Sequence, residues 1–406
     1  MNRRTLLQTT VAAFAASTYT SAFSQDKKVR TKVLLRSSWQ TVNIGDIAHT
    51  PGMLALLEKH RPDAEVTLWP SSVDRGVEEI LRARFPKLTI AKNKAEQLTA
   101  LLDCDFFLHG SGPSLVGLNE LSQARIADMP YGIGGVTLND SQITDHRELL
   151  ANARFIFLRD TDSLRAVEAS GITGPQIAFG PDATFAIDLR DDAAAARLLN
   201  EHKMEPGRFL CAIPRLRWTP YWEIHPEKTT PNPDRIRVNE EFAEKDHAKL
   251  REGISAWVRE TKMRVLLTPE MTYQVPLLKT LLCDKLPDDV KPHVSFLDRY
   301  WVTAEACSVY SQAAAIVSME QHSPIMGIAA GVPSVLIRQP TDTRKGRMWY
   351  DLKMSDWVFE IDTTTGTQIA ERLVQIGHDL NAAREKAAAA RSLAHELMAT
   401  MIAAIP

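Results

Sequence analysis

Short apolar runs alternate with helical patterns along most of the chain, and this alternation is the strongest structural signal in the sequence. The apolar runs are rich in Val, Ile, Leu and Phe, which is typical of strands buried in a parallel sheet. The segments between them repeat apolar residues at helical spacing, as at 52–60, 73–84 and 95–102. Strands and helices that alternate in this way predict an α/β fold.

The predicted strands fall into two series. The first contains KVLLRS (32–37), AEVTLW (64–69), DFFLHGSG (105–112), YGIGGVTL (131–138), RFIFLRD (154–160) and PQIAFGPDATFAID (175–188). The second contains RFLCAIPRLR (208–217), KMRVLLTPE (262–270), HVSFLD (293–298), AAIVSME (314–320), PSVLIRQ (333–339) and DWVFEID (356–362). A charged, alanine-rich stretch at 191–207 connects them. We therefore predict two Rossmann-like domains, 30–190 and 205–365, facing each other across a cleft, followed by C-terminal helices at 366–403; a single large sheet is the alternative.

Ionisable residues follow the strand at 314–318, in the segment SMEQHSPIMG. A helix is predicted to start just after them, because Ser323 can cap exposed N–H groups and Pro324 suits the first helical position. Open α/β sheets bind ligands at the carboxyl ends of their strands. His322 is therefore a candidate general acid or base, with Glu320 to orient it or to hold a hydroxyl group.

Similar polar turns follow strands of the first series. Candidate ligand-binding residues there are Asn43, Gly45, Asp46 and His49 in NIGDIAH, His109, Gly110 and Gly112 in HGSGP, Arg159 and Asp160 in RDTDS, and Asp182 in FGPDATF. Helix capping, tight turns or an Arg159–Asp160 ion pair also explain each motif taken alone. Only one glycine stands where a GxGxxG dinucleotide motif needs three.

Composition adds little beyond the fold class. Hydrophobic residues make up 44% of the chain, charged residues 24%, and the formal net charge is −2, so nothing indicates nucleic acid as a partner. The four cysteines, Cys104, Cys211, Cys283 and Cys307, have neither metal-ligand spacing nor a pairing that the sequence defines. A metal site of Glu320 and His322 with Asp46, His49 or His109 is an alternative that no spacing indicates, so no cofactor and no metal are predicted.

The first 24 residues have the pattern of an export signal. Arg3 and Arg4 precede two leucines and the apolar run VAAFAAS, and Ala22-Phe23-Ser24 offers small residues for cleavage. The paired arginines resemble a twin-arginine signal, and an ordinary secretory signal or an uncleaved anchor is the alternative. We expect a periplasmic or secreted protein with no stable membrane span after signal removal, because no later segment approaches ~20 consecutive apolar residues.

The order of the motifs resembles the polysaccharide pyruvyl transferase family. The resemblance rests on NIGD (43–46), HGSGP (109–113), RDTDS (159–163), FGPDATF (179–185) and HSPIMGIAAGVPSV (322–335). It implies a GT-B-type fold and transfer of an enolpyruvyl-derived group from phosphoenolpyruvate to a sugar. It also implies donor-binding positions at Arg215 and His322, next to which Ser323 and Lys345 are candidate anion-binding residues.

One position departs from that family. Members usually present Arg-x-His where this chain has Glu320-Gln321-His322, and the carboxylate of Glu320 repels an anionic donor by several kcal/mol unless a cation intervenes. Arg338, Arg344, Lys345 and Arg347 are nearby candidates to restore positive charge. Phosphoenolpyruvate is also cytoplasmic, whereas the signal directs the protein outward. Either the donor is different from phosphoenolpyruvate, or catalysis has been lost or altered.

An aromatic loop, 215–235, is a candidate acceptor surface. Trp218 and Trp222 either stack on sugar faces or pack beneath the loop as a local core. We therefore predict a transferase that acts on an extracytoplasmic glycan or glycoconjugate, with acceptor contacts in the first domain and donor contacts in the second. An exported, non-catalytic glycan-binding protein is the alternative, and a glycan hydrolase using Glu320 with a second carboxylate is a third hypothesis.

Overall fold

Two parallel sheets form the framework of the computed structural model, which describes residues 30–38 and 40–406. The apolar runs form these strands because both faces of each sheet are covered by helices. The first sheet contains β1 (Lys32–Arg36), β2 (Glu65–Leu68), β3 (Thr89–Ile90), β4 (Phe106–His109), β5 (Tyr131–Val136), β6 (Phe155–Leu158) and β7 (Gln176–Phe179). The second contains β8 (Phe209–Ile213), β9 (Arg264–Leu267), β10 (Val294–Phe296), β11 (Ala315–Ser318), β12 (Ser334–Arg338) and β13 (Val358–Glu360).

Both sheets have the same winding. Their strand orders are β3-β2-β1-β4-β5-β6-β7 and β10-β9-β8-β11-β12-β13, and the paired strands run parallel throughout. This is the doubly wound Rossmann pattern, in which the order reverses between the first and fourth strands of each sheet. The predicted α/β fold with two Rossmann-like sheets is confirmed, whereas the predicted domain boundaries stay predictions.

Helices of different lengths connect the strands. In the first half they are α1 (Ile44–His60), α2 (Val77–Arg84), α3 (Lys94–Asp103), α4 (Leu118–Ile126), α5 (Asp140–Asp145), α6 (Arg147–Ala151), α7 (Thr161–Ala169) and α8 (Asp192–Glu201). In the second half they are α9 (Tyr221–Ile224), α10 (Pro233–Thr261), α11 (Val275–Leu277), α12 (Thr303–Ser311), α13 (His322–Ala329), α14 (Arg347–Asp351), α15 (Gly366–His378) and α16 (Leu380–Ala403). A 3-10 turn at Ala183–Ala186 packs against α1 and α13.

Helix α10 begins earlier than its apolar pattern predicts. The amphipathic sequence pattern predicts a helix over roughly 238–260, but the helix starts at Pro233. The Asn232 side chain caps it by accepting a hydrogen bond from Arg235 N at 3.0 Å, and proline occupies the first turn without losing a helical hydrogen bond. Local capping therefore extends the helix to residues that precede its amphipathic pattern.

The predicted C-terminal helical segment consists of two helices. The side chain of Asp379 caps the second by accepting from Ala382 N at 3.1 Å, which separates α15 from α16. Helix α15 packs on α10, whereas α16 contacts both α1 and α13. Arg61 donates to the backbone oxygens of Ile405 and Pro406 at 2.5 and 2.7 Å. The end of the chain therefore joins the second sheet to the first domain.

The predicted export signal at 1–24 lies outside the described residues. Within 30–38 and 40–406, none of the helices combines the length and the apolar character that a bilayer crossing requires.

Candidate functional site

The reversal points of the two sheets meet at one junction between the domains. Helix α1 follows β1 in the first sheet, and α13 follows β11 in the second. Ile44 N donates to Glu270 O at 3.0 Å, and Thr303 Oγ1 donates to Ile44 O at 3.1 Å. Asn43 also pairs with Met271 across the junction. Parallel sheets gather ligand-binding residues at these reversal points, so the junction is the candidate functional site.

The start of α1 fits closely against His322. Asn43 caps the helix, because its Oδ1 accepts from Gly45 N at 2.7 Å and from Asp46 N at 3.3 Å. A Cβ atom on Gly45 would lie 2.3 Å from His322 Cβ and 2.5 Å from His322 Nδ1. Glycine is therefore needed at position 45 because the backbone of α1 touches the imidazole of the other domain.

A carboxylate from another segment caps α13. Glu270 Oε2 accepts from Ser323 N at 2.6 Å and from Ser323 Oγ at 2.7 Å, and its Oε1 lies 3.3 Å from His322 Nδ1. The sequence predicted that Ser323 itself would be the cap and that the helix would start after it. This prediction is wrong: the helix starts at His322, because Glu270 satisfies the exposed N–H group from the loop after β9.

Asp182 connects polar side chains that lie far apart in the sequence. Its Oδ2 accepts from Arg159 Nη1 at 2.5 Å, and its Oδ1 lies 2.9 Å from His49 Nδ1 and accepts from Thr184 N at 3.0 Å. Ser111 Oγ lies 2.6 Å from His49 Nδ1. Arg159 therefore pairs with Asp182 and not with Asp160, which caps α7 through Ser163 N at 2.7 Å.

We call the connected, largely buried side chains at this junction the interdomain cluster. Its members are Asp46, His49, Arg159, Asp182, Arg215, Glu270, Glu320, His322, Asp342 and Lys345. The imidazole rings of His49 and His322, one from each domain, meet edge to face with centroids 4.9 Å apart. The cluster thus contains both predicted acceptor-site residues, such as Asp46 and His49, and predicted donor-site residues, such as Arg215 and His322. Their roles stay predictions.

Burial determines the charge states within this cluster. Burial lowers the pKa of His49 to about 4, although the attraction of Asp182 opposes the shift. Burial would raise the pKa of Asp182, but His49 and Arg159 hold it well below its ordinary value. Burial, reinforced by the charge of Glu270, raises the pKa of Asp46 well above its ordinary value. The cluster therefore combines ionised and neutral groups at neutral pH.

Glu320 is paired by the arginine that was predicted to bind the donor. Arg215 Nε lies 3.4 Å from Glu320 Oε2, and Arg215 also donates to Asp342. Gln274 Nε2 donates to Glu320 Oε1 at 2.8 Å. Burial raises the pKa of Glu320 to about 8, although the positive charge of Arg215 opposes this shift.

The basic residues near Glu320 have different partners. Lys345 lies in the cluster, where burial lowers its pKa although Asp342 opposes the shift. Arg338, Arg344 and Arg347 instead pair with Glu360, Asp140 and Asp351, respectively.

The His109 turn contributes Ser111 to the cluster and not the imidazole itself. Gly117 N donates to His109 Nε2 at 3.0 Å, so the proton is on Nδ1, which donates to Gly110 O at 2.8 Å. A Cβ on Gly110 would lie 2.7 Å from Ser37 Oγ, and Gly112 pairs with Val136 through the backbone. His109, Gly110 and Gly112 therefore hold the turn that places Ser111 beside His49.

This buried imidazole predicts a pH dependence of stability. Burial lowers the pKa of His109 to about 4, against an unfolded value of 6.5. A depressed histidine pKa contributes stability that is complete above pH 6.5 and is lost as the pH falls towards 4. Between pH 6.5 and 5, we expect the free energy of unfolding of the His109→Gln protein to fall by about 2 kcal/mol less than that of the wild type.

Urea unfolding across that pH range measures the effect. The exposed His378 provides the matched control, because His378→Gln is expected to leave the slope unchanged. Equal slopes for the wild-type and His109→Gln proteins would show that His109 titrates alike in the folded and unfolded states.

The two tryptophans lie outside the interdomain cluster. Trp218 is partly buried, its backbone N donates to Asn239 Oδ1 at 2.8 Å, and Arg235 Cζ lies 4.4 Å from the centre of its ring. Trp222 is also partly buried, on the short helix α9. Tyr221 reaches further, because Gln40 Nε2 donates to its hydroxyl at 3.3 Å and also donates to Asp46. The loop thus borders the cluster through Tyr221.

The sequence did not assign several residues to the site that the structure brings there. These residues are Ser111, Glu270, Gln274 and Asp342. Each of these follows the carboxyl end of a parallel strand, and that position is the sequence signal that could have identified them.

The junction can also bring metal-ligand atoms together. Asp46, His49 and His322 each offer one ligand atom, and these atoms lie within 4.8 Å of one another. A separate groove of about 1330 Å³ runs along the β2–β3 edge, lined by residues such as Arg61, Lys87 and Glu96. That groove shares no lining residue with the interdomain cluster.

The two facing Rossmann-like sheets and the buried cluster between them define a two-domain protein of the GT-B-like class. Solved structures with this fold include a putative UDP-N-acetylglucosamine 2-epimerase from Listeria monocytogenes, with TM-score 0.58, 12% identity and coverage of 92% of this chain and 95% of that one. A UDP-GlcNAc 2-epimerase from Neisseria meningitidis bound to UDP-GlcNAc has TM-score 0.57 and 11% identity, covering 92% and 98%. Anabaena HepE in complex with UDP and glucose has TM-score 0.55 and 10% identity, covering 92% and 97%.

The family is defined by the sequence model for polysaccharide pyruvyl transferase, which matches residues 43–339. The chain therefore belongs to the polysaccharide pyruvyl transferase family. This family places it among the glycan-modifying transferases. No curated protein matches the chain in sequence. Because the solved structures share so little sequence with this chain, their similarity shows the fold alone.

Proposed function

We propose that the protein is a transferase that modifies an extracytoplasmic glycan or glycoconjugate at the interdomain cluster. The observation that carries the proposal is the junction itself, where His322 of one domain meets Asp46, His49 and Asp182 of the other. The export-signal pattern at 1–24 supports an acceptor outside the cytoplasm. The UDP and sugar ligands of the structural neighbours support a sugar-containing substrate between the two sheets.

His322 is the proposed proton acceptor. Glu270 lies 3.3 Å from its Nδ1 and holds the ring, so that Nε2 is directed towards the first domain, 3.8 Å from Asp182 Oδ2. The acceptor hydroxyl gives its proton to Nε2 as its oxygen forms the new bond, and the donor's leaving group departs with the electron pair of the broken bond. Glu270, and not Glu320 as the sequence suggested, is the residue placed to orient His322.

Arg215, Ser323 and Lys345 are the proposed contacts to an anionic donor. Arg215 and Lys345 are basic side chains on the second domain, and Ser323 lies in the first turn of α13, where its N–H and hydroxyl donate to Glu270 in the described conformation. In the described conformation, the guanidinium group of Arg215 already contacts the carboxyl groups of Glu320 and Asp342. Because His322 and Glu320 are only 5% exposed, substrates require the domains to separate before they reach these groups.

A transfer assay tests the proposal directly. Purified protein is incubated with glycans from a periplasmic extract and with separate donors, including phosphoenolpyruvate and nucleotide sugars, and products are identified by mass spectrometry. We expect one donor class to add a fixed mass to a glycan, and His322→Gln to abolish that addition. The absence of any mass addition with every donor, in protein that is correctly folded, would contradict a transferase.

Arg215 provides a quantitative prediction for donor binding. We expect Arg215→Gln to weaken binding of the active donor by at least about 10-fold, because a charge-assisted hydrogen bond contributes about 1.5–3 kcal/mol. Isothermal titration calorimetry measures the affinity. Arg237→Gln is the matched control, because Arg237 is exposed on α10 and lies outside the interdomain cluster. Equal affinities for the wild-type and Arg215→Gln proteins would remove Arg215 from the donor site.

A glycan-binding protein without transfer activity is the second candidate. The observation in its favour is that Arg215, which the family resemblance assigns to the donor, already donates to Asp342 and lies 3.4 Å from Glu320. In that case glycans bind in the calorimeter and no donor is consumed. Trp218→Ala or Trp222→Ala then weakens glycan binding, whereas Glu320→Gln leaves it nearly unchanged.

A further inference from the structure

We propose that Asp46, His49 and His322 bind a divalent first-row transition-metal ion between the two domains. Their ligand atoms lie within 4.8 Å of one another. Two imidazoles and one carboxylate form a ligand set that suits Zn²⁺, Fe²⁺ or Co²⁺ rather than Mg²⁺ or Ca²⁺, which prefer oxygen ligands. Three protein ligands also leave a coordination position for water or substrate.

Each of the three side chains has a polar partner behind it. His322 Nδ1 lies 3.3 Å from Glu270 Oε1, and His49 Nδ1 lies 2.9 Å from Asp182 Oδ1. Asp46 Oδ2 accepts a hydrogen bond from Gln40. Histidine ligands of metals almost always use their second ring nitrogen in this way, because the outer carboxylate fixes the ring orientation and makes the ligating nitrogen more basic.

The other ring nitrogen of His322 is an independent observation. Nε2 is buried and has no hydrogen-bond partner among the described residues, and Asp182 Oδ2 at 3.8 Å is too far away to be one. A buried polar nitrogen without a partner costs about 1–3 kcal/mol, so a ligand at this position stabilises the fold. The ring of His322 meets the ring of His49, from the other domain, at an interplanar angle of 80° with the centroids 4.9 Å apart.

Charge at the junction accommodates a cation beside Asp46. Asp182 and Asp342 each pair with an arginine, Arg159 and Arg215, whereas the buried carboxyl group of Asp46 accepts a hydrogen bond from the neutral amide of Gln40. A divalent ion would supply positive charge to a carboxyl group that forms no salt bridge among the described residues, and buried carboxylates require such compensation.

Binding requires a small contraction. Zinc bonds of about 2.0–2.1 Å in tetrahedral geometry place the ligand atoms about 3.3 Å apart, so the most distant pair must approach by about 1–1.5 Å. Because His322 is held between Gly45 and Glu270, the contraction would come from the Asp46 side chain and from a small shift of one domain against the other. The metal would therefore also connect the domains.

This inference changes one step of the proposed function and leaves its substrate class unchanged. An imidazole that ligates a metal through Nε2 cannot accept a proton there. A metal held by Asp46, His49 and His322 would supply Lewis-acid chemistry, and the proton of the acceptor hydroxyl would then pass to water instead of His322. His322 then acts as a ligand that Glu270 orients.

Cobalt binding tests the site without any substrate. The purified full-length protein, freed of metal by a chelator, is titrated with Co²⁺ while its visible absorption and its bound metal content are measured. We expect one Co²⁺ per chain with a d–d spectrum typical of mixed nitrogen and oxygen ligation, and displacement by Zn²⁺. We expect Asp46→Asn and His322→Gln to weaken binding at least about 100-fold, and Glu270→Gln to weaken it about 10- to 100-fold.

Matched controls separate this site from surface histidines. His293→Gln and His378→Gln remove exposed imidazoles and are expected to leave the cobalt affinity and spectrum unchanged. Circular dichroism identifies any variant that fails to fold, and Glu270→Gln, which keeps both the shape and the ligands, tests the site independently. No stoichiometric uptake by the wild type, or equal uptake by folded Asp46→Asn and His322→Gln proteins, would overturn the inference.

The two proposals fail in different ways. Metal binding without group transfer to any glycan leaves the metal site standing and contradicts the transferase. Full transfer activity in metal-free protein, together with no cobalt uptake, contradicts the metal site and leaves the transferase standing.

Discussion

Gly45→Ala is expected to destabilise the protein by about 3 kcal/mol, since a clash in a packed interior costs about 1–3 kcal/mol and more when backbone must move. The new Cβ would lie 2.3 Å from His322 Cβ and 2.4 Å from His322 Cγ. These atoms lie next to the backbone of α13, so rotation of a flexible side-chain tip cannot relieve the contact. The two domains must therefore separate slightly at the junction.

Urea unfolding and cobalt titration measure the two consequences of Gly45→Ala, lower stability and weaker metal binding. Gly253→Ala in the middle of α10 is the matched control, because its Cβ would meet only the side-chain tips Leu373 Cδ1 at 3.0 Å and Ile369 Cγ2 at 3.2 Å. Alanine also has the higher helix propensity, by about 1 kcal/mol, so this variant should be close to neutral. Similar losses in the two variants would contradict close contact between α1 and His322.

Removing Arg159 is expected to cost about 3–5 kcal/mol, because it leaves the buried carboxylate of Asp182 without its guanidinium partner. Both side chains are fully buried and joined at 2.5 Å. Arg159→Met and Asp182→Asn should each be strongly destabilising. The double variant should lose less than the sum of the two, with a coupling of up to about 3 kcal/mol, since neither charge then remains alone.

A double-mutant cycle by urea unfolding at pH 7 measures this coupling. Arg259→Met is the control, because Arg259 pairs with Asp289 at the surface, where it is 49% exposed and solvent screens the charges. It should change the free energy of unfolding far less than Arg159→Met. Strict additivity of the Arg159 and Asp182 variants would show that the two side chains do not interact.

Periodicity was sufficient to predict most of the fold. The apolar runs locate the strands because parallel strands are buried on both faces, and this property is visible in each segment separately. Helix starts were predicted less well than strands. The start of α10 was missed although Asn232 and Pro233 define it locally, because the prediction followed the apolar pattern alone. The start of α13 has no local signal, because Glu270 from a distant loop satisfies its N–H group.

The candidate site was predicted only in part. Placement after strand ends selected Asn43, Asp46, Arg159 and His322, because every parallel strand directs its carboxyl end to the same edge of the sheet. Pair formation was not predictable. Arg159 pairs with Asp182 instead of its neighbour Asp160, and Glu270 rather than Glu320 contacts His322 Nδ1. These pairs depend on how strand ends from different parts of the chain lie in space.

The sequence by itself determined the two doubly wound sheets and the family motifs, since buried strands, caps and turns leave their pattern in neighbouring residues. Only the tertiary structure decided that Gly45 lies against His322, that Glu320 is held by Arg215, and that Asp46, His49 and His322 come together. Contacts between the domains join residues that lie far apart in the sequence, as Gly45 and His322 do, and no local pattern of hydrophobic or polar residues records such a contact.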